Sequence, residues 1–456
     1  MEQKKFTKSE TIIVLSGSLG MIGVCILLGI SLLFGFAGGI MFTSIIMIKK
    51  GFDIKELFSI IGKSIRECVS LYILILLIGA TISIWLSSGV VPSMMYYGFE
   101  YMKGVNFLLA SFIITSIISL FMGTAVGTIS TIGIALIGIG KGFGMPSSVL
   151  LGVIVSGAFI ADKISPISGL LNLTLATTRI KYSQVIVPML RTMIPTYIIT
   201  ALIYFLMGSK YTTNIDLSEI NIYQQAILQG FEISPYLLIL PMGVVLMTVL
   251  GIKTIPAILV GLTGGSIFSF ALQKMTAGQI GYTIFFGYKS SVNSEILEEI
   301  LVSGGIMSMV EVVFIVLGAI ILSGILEEGG VIRPFINRVV SQIKTKNGLI
   351  FKTGLVSSIL TAVTCDQTVG IIIPGRVFSD KYVELQVDKS ILARTISDTG
   401  TIIAPLMPWN VNALIIGTIT TATALSYAPY AVLCYVSPII TIIVSRFVEK
   451  DISITP

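Results

Sequence analysis

SGAFIADKISPISGLLNLT, Ser156 to Thr174, decides how the rest of the chain reads. The apolar run Val149 to Ile154 leads into it as a membrane helix would. Asp162 and Lys163 then stand side by side, Ser165-Pro166 follows, and the sequence turns apolar again. In water these residues would be a surface ion pair followed by a helix start. At membrane depth the same residues would break a helix inside the bilayer. An ionisable group there is expensive, which makes it a functional candidate by default.

Composition favours the second setting. Of 456 residues, 54% are hydrophobic and only 11% are charged, against roughly 25% charged in soluble proteins. Apolar runs of about 20 residues, enough to cross a bilayer, recur from end to end. The expected fold class is therefore an all-α polytopic membrane protein; the short alternating segments of a β-barrel are absent. The run from Thr11 to Ile48 follows Lys4, Lys5 and Lys8 and reads as two membrane helices rather than a signal peptide. The net charge of +6 reads as topology rather than as attraction to nucleic acid. Basic residues gather at Lys49-Lys50 and between Arg333 and Lys346, as cytoplasmic loops do. Cys25, Cys68, Cys365 and Cys434 are scattered, which suggests neither disulfides nor a metal centre. There is no histidine, so proton chemistry falls to carboxylates, lysine or water. No cofactor is expected.

Helices are expected near 11–28, 29–48, 66–87, 105–122, 130–140, 147–161 and 182–208, and again at 233–251, 255–272, 304–326, 348–363, 366–376, 391–404, 410–425 and 427–446. Two amphipathic stretches, Phe52–Glu67 and Val331–Lys344, should lie along the membrane surface. Between the halves, Gly208–Glu232 carries one Lys against Asp216, Glu219 and Glu232. The positive-inside rule puts it outside and the N-terminus in the cytoplasm. The first half then crosses an odd number of times, as an inverted repeat requires. The expected organisation is a first repeat over 1–208, a polar extracellular linker over 209–232 and a second repeat over 233–456.

Short matches support a repeat. GTAVGTISTIG (Gly123–Gly133) resembles LTAVTCDQTVG (Leu360–Gly370), and at nearly the same offset, roughly 237 residues, Asp162 meets Asp398 and Asn172 meets Asn410. The matched blocks interrupt helices, at Gly123-Thr124 and again at Gly127-Thr128. Paired broken helices point to a transporter's substrate site. Their ends offer free amides to anions and free carbonyls to cations.

Asp162 is the sharpest candidate, with Ser165, Ser168 and Asn172 as oxygen ligands for Na⁺ beside it. Asp366-Gln367 is flanked by apolar sequence on both sides. Asp398 and Thr399 lie in ARTISDTGTIIAPLMPWN, where Arg394 stands one helical turn before the aspartate and would neutralise it. Asp162, Asp366 and Asp398 are the Na⁺ candidates; Thr124, Thr128 and Asn410 complete the polar set. Glu311, in SMVEVVFIVLGAI, is a weaker candidate near a helix end. Arg191 reads as a helix-end residue, Trp409 as an interface anchor, and the sequon at Asn172 is discounted for its apolar context.

GTAVGTISTIGIALIGIGKGFG, SGAFIADKISPISGLLNL, SGGIMSMVEVVFIVLGAIILSGILEEGG and CDQTVGIIIPGRVF…LARTISDTGTIIAPLMPWN together resemble NhaC-type sodium/proton antiporters, in the family's order and through most of the chain. The resemblance implies inverted repeats, an elevator-like motion, a homodimer in a bacterial plasma membrane, and Na⁺ and H⁺ as partners. It also brings in members that exchange malate for lactate or carry amino acids, so an organic solute is an expected partner. By the same resemblance Asp162, Ser165, Asn172, Asp366 and Asp398 fall on the family's polar positions. Two departures matter. Many members read SPxSD where this chain has Ser165-Pro166-Ile167-Ser168-Gly169, and Glu-Asp where it has Ser397-Asp398. Fewer acids leave fewer groups to trade protons for Na⁺, which raises Na⁺-driven uptake of an amino acid or small organic acid as the alternative. An ion channel would repeat its ligands around a symmetric axis between subunits, unlike two dissimilar halves in one chain. HExxH, GxSxG, Walker A and aspartate-rich prenyl-diphosphate motifs are all absent, which argues against an enzyme.

Overall fold

The computed structural model describes residues 6–102, 104–212, 217–289, 301–420 and 422–451. Lys4, Lys5 and Asp216, used above to orient the chain, lie outside the described residues. Among those described there is no strand, only an isolated bridge between Lys289 and Val302. Eight helices are long and apolar enough to cross a membrane, or up to eleven if each bent helix pair is one span. The protein is a multi-pass, all-helical membrane protein.

The apolar runs become helices close to their expected bounds, for example Lys8–Leu28, Leu32–Lys49, Val69–Ser87 and Gly305–Glu328. Both amphipathic stretches form short helices, Ile54–Glu67 and Arg333–Ser341. The first is pinned to the end of Gly305–Glu328 by Lys63, whose Nζ lies 2.5 Å from Glu328 Oε1. That contact holds the Lys63 ammonium above its usual range. Several helices escape the hydrophobic pattern: Val90–Tyr101, Gly169–Thr178 and Ala277–Phe286. The linker is also largely helical, since Tyr182–Thr212 runs into it and Leu217–Gly230 follows. Ile220 and Ile227 are buried there, and Gln224 donates to Tyr96 O (3.3 Å) and Glu100 Oε2 (3.3 Å).

Helix boundaries recur along the chain. Helices begin at Ser147, Gly169 and Tyr182 in the first half and at Lys389, Val411 and Ala424 in the second, the same 242-residue step each time. Gly169–Thr178 and Val411–Thr420 are both 10 residues long. The short identities noted above, near 237, are thus about five residues out of step with the backbone. Asp162 corresponds in position to Ala404, Asp398 to Ser156, and Thr124 to Asp366. Thr-Ala-Val identities in Thr-rich membrane sequence carry less positional information than where helices stop.

Two groups of helices pack separately. Val69–Ser87 lies against Thr254–Ala271, Ala277–Phe286 and Gly305–Glu328, with Trp85 Nε1 donating to Gly261 O at 3.0 Å. In the other group Phe107–Met122 packs on Ser147–Ala158, and Lys346–Val363 on Gln367–Val377 and Val432–Asp451. The halves meet closely where Gly152 leaves room for backbone. A Cβ there would sit 2.6 Å from the Tyr430 carbonyl carbon and 2.8 Å from Tyr427 O. Gly152→Ala should therefore destabilise the protein by about 1–3 kcal/mol through overpacking. A thermal midpoint in detergent equal to that of the parent would refute this.

Candidate functional site

Two helices break in the same way. Gly123 takes a left-handed φ of 66° and Thr124 an extended φ/ψ of −151°/131° before Ala125–Thr128 begins. In the second half Cys365 takes φ 62° and Asp366 −140°/145° before Gln367–Val377. Glycine adopts the left-handed region freely; for cysteine it costs about 1–2 kcal/mol. The neighbours hold Cys365 there: the Val411 N–H donates to Cys365 O at 3.0 Å and the Thr364 hydroxyl to Asp366 O at 3.1 Å. Non-glycine residues retained in strained backbone cluster at functional sites.

A second break crosses each first one. The Ser165 hydroxyl donates to Leu120 O at 2.6 Å, and Trp409 Nε1 donates to Ala362 O at 2.7 Å. Leu120 and Ala362 are again 242 apart. Each bond satisfies a carbonyl orphaned at a helix end, which the membrane interior otherwise penalises. Ser165 and Trp409 thus lock the crossings rather than face a ligand or the interface.

Asp162 lies 5% exposed at the first crossing. Its Oδ1 accepts from the Ser168 hydroxyl at 3.3 Å, and the carboxylate faces the Ala125 N–H at the start of a broken-helix segment. Among the described residues no lysine or arginine pairs with it. Its neighbour Lys163 turns away instead. Lys163 Nζ, fully buried, lies 3.0 Å from Asp398 Oδ1 and donates to Ser437 Oγ at 3.1 Å. Asp398 Oδ2 accepts from the Thr441 hydroxyl at 2.6 Å, with Arg394 Nε at 3.8 Å. Arg394 does face Asp398, as the one-turn spacing suggested, but Lys163 is the nearer partner. Asp398 is held by two cations, within the π-helical turn Ser397–Thr401.

Around the second crossing, half-buried Asp366 faces the N–H groups of Gln367 and Thr368 and the Thr368 hydroxyl. Gln367 is buried; its Nε2 donates to Thr401 O and its Oε1 accepts from Asn412 at 2.8 Å. Asn412 also donates to Asn410 Oδ1, at 3.1 Å. Asn410 Nδ2, Ser397 Oγ and Thr401 Oγ1 are buried without hydrogen-bond partners. Gln367→Leu would strand Thr401 O and Asn412 and should cost about 1–3 kcal/mol, read as a lower thermal midpoint; an unchanged midpoint would show that the network is solvated.

The remaining candidates separate. Thr128 and Thr399 spend their hydroxyls on Thr124 O (2.9 Å) and Thr395 O (2.6 Å). Exposed Asn172 donates to Pro166 O (3.0 Å) and Ser168 O (2.9 Å), capping the break. Thr124 is half-buried at the first break. Glu311 is exposed and accepts from the Ser31 hydroxyl at 2.7 Å, in the other helix group. Among the described residues no three acidic or cysteine side chains gather as a metal cluster, so Asp162, Asp366 and Asp398 do not share one acid site. Lys163, Asn412, Ser437 and Thr441 were missed. Lys163 could have been found as a second ionisable group at membrane depth; the others follow only from the fold.

Broken apolar helices that carry an unpaired acid and a buried ion pair define a membrane transporter. Residues 169–447 match the model of the Na⁺/H⁺ antiporter family. The Na⁺/H⁺ antiporter NhaC of Bacillus subtilis is 30% identical over 424 residues, 90% of this chain and 92% of that protein. The chain belongs to this family and is a secondary transporter, not an enzyme. It is also 29% identical over 391 residues to the malate-2H⁺/Na⁺-lactate antiporter of B. subtilis (86% and 84% covered). The arginine/ornithine antiporter ArcD of Halobacterium salinarum is 26% identical over 447 residues (97% and 92%).

Proposed function

We propose that this chain exchanges Na⁺ for H⁺ at Asp162. The observation that carries the proposal is a buried carboxylate that faces a helix N-terminus and a hydroxyl but no cation. A carboxylate in that setting must be neutralised by a bound proton or metal ion. The two neutralising cations exclude each other, and that exclusion produces antiport. Asp366, half-accessible at the second crossing, is the second candidate acid. Asp398 serves as the anchor of the ion pair that joins the halves.

The recurrent 242-residue step supports an inverted repeat: 1–208 and 233–456 around the segment 209–232, placed outside, with the N-terminus in the cytoplasm. The two helix groups suit an elevator, one group fixed and the broken-helix group moving. A homodimer in a bacterial plasma membrane follows from the family alone.

The alternative is Na⁺-coupled uptake of an amino acid or small organic acid without proton antiport. The orphaned donors at Asn410, Ser397 and Thr401 favour it, because they suit a solute's polar groups. Relatives named for malate, lactate, arginine and ornithine point the same way. Proteoliposomes decide between the two. Collapse of an imposed pH gradient by Na⁺ alone supports exchange; ²²Na⁺ uptake that requires a solute, with the pH gradient intact, supports the alternative.

Gly169, where many members carry an acid, is exposed, and a Cβ there meets nothing within 4 Å. Gly169→Asp should fold with stability within about 0.5 kcal/mol of the parent, as an acid in a helix's first turn is favoured. A large drop in thermal midpoint would show that the position is closed to a carboxylate.

A further inference from the structure

A cavity of about 460 Å³ opens where the outer ends of Gly169–Thr178 and Gln367–Val377 meet. Its walls include Arg179 from the first half and Arg376, Lys389 and Asp380 from the second. These three cations face a single acid and form no ion pair among the described residues. With 10 and 11 residues in the two helices, the cavity lies about 15 Å along the helix axes from the Ser168 and Asp366 ends.

We propose that this cavity binds a dianionic oxyanion such as phosphate, either free or as a phospholipid head group. Arg179 and Arg376 sit near helix C-termini, where a cation also complements the helix dipole. Lys389 is not explained that way: it is the first residue of Lys389–Ile396, the helix end at which a cation is disfavoured. Arg179 holds a left-handed φ of 59°, a conformation that glycine normally supplies at a helix end. Strained backbone that projects a charged side chain is a mark of a ligand site. Two guanidinium forks and an ammonium match the planar, multidentate geometry of a phosphate better than that of a halide. The charge sign also sets this site apart from the cation-binding carboxylate at Asp162, and the inference stands whichever ion is transported.

The test is thermal unfolding of the full-length chain at constant ionic strength. Phosphate should raise the midpoint of the detergent-purified protein in a saturable way. Arg179→Gln combined with Arg376→Gln should weaken apparent phosphate affinity at least about tenfold, while Lys381→Gln, which removes a cation paired to Glu384, leaves it unchanged. If phosphate has no effect in detergent but nanodiscs with 20% phosphatidic acid stabilise the parent over neutral phosphatidylcholine, and the double variant loses that gain, the ligand is a lipid head group. Equal responses of parent and double variant in both settings, or no response in either, would overturn the proposal.

Discussion

Asp162→Asn should abolish Na⁺-dependent proton movement in proteoliposomes while leaving the protein folded. The substitution keeps the side chain's shape and its contact with the Ser168 hydroxyl (3.3 Å). It removes the charge that faces the Ala125 N–H. An amide carries no charge to hold Na⁺ and no proton to exchange, so the effect should fall on turnover, at least about a hundredfold, rather than on a modest affinity change. Stability should hold or rise, because an uncompensated buried carboxylate is replaced by a neutral group. Transport kinetics equal to the parent's would remove Asp162 from the mechanism.

The second large effect concerns Asp398. Replacing it with Asn leaves Lys163, fully buried 3.0 Å away, and Arg394, at 3.8 Å, without a counter-charge. Breaking a buried pair by removing one partner typically costs about 3–5 kcal/mol. Here the removed partner serves two cations. Lys163→Met should cost less, since Arg394 remains to face the aspartate. Adding Lys163→Met to Asp398→Asn should restore part of the lost midpoint, because one stranded cation disappears. A double variant less stable than either single variant would mean that Lys163 is held by groups other than Asp398.

Much of this was legible in the chain. Long apolar runs fix the helices because lipid leaves the backbone no other solution. Asp162, Asp366 and Asp398 stand out because charge is rare at that depth. What the sequence hides is pairing across distance. Lys163 reads as the companion of Asp162, its neighbour, yet on a helix adjacent residues point apart, and its partner is 235 residues away. Ser165 has the look of a ligand and spends its hydroxyl on Leu120 O. Gly169–Thr178 eluded the hydrophobic pattern because it is short and rich in Thr and Asn. The repeat was visible in outline but misaligned, because three identical residues outweighed helix boundaries that no local pattern reports.

The central claim is that one carboxylate serves Na⁺ and H⁺ in turn. Calorimetric titration of Na⁺ into the purified protein across pH tests it directly. Competition for a single group predicts that, on the acid side, apparent Na⁺ affinity falls tenfold per pH unit, with about one proton released per Na⁺ bound, and that both signals vanish in Asp162→Asn. Na⁺ binding that is independent of pH and survives in Asp162→Asn would contradict it.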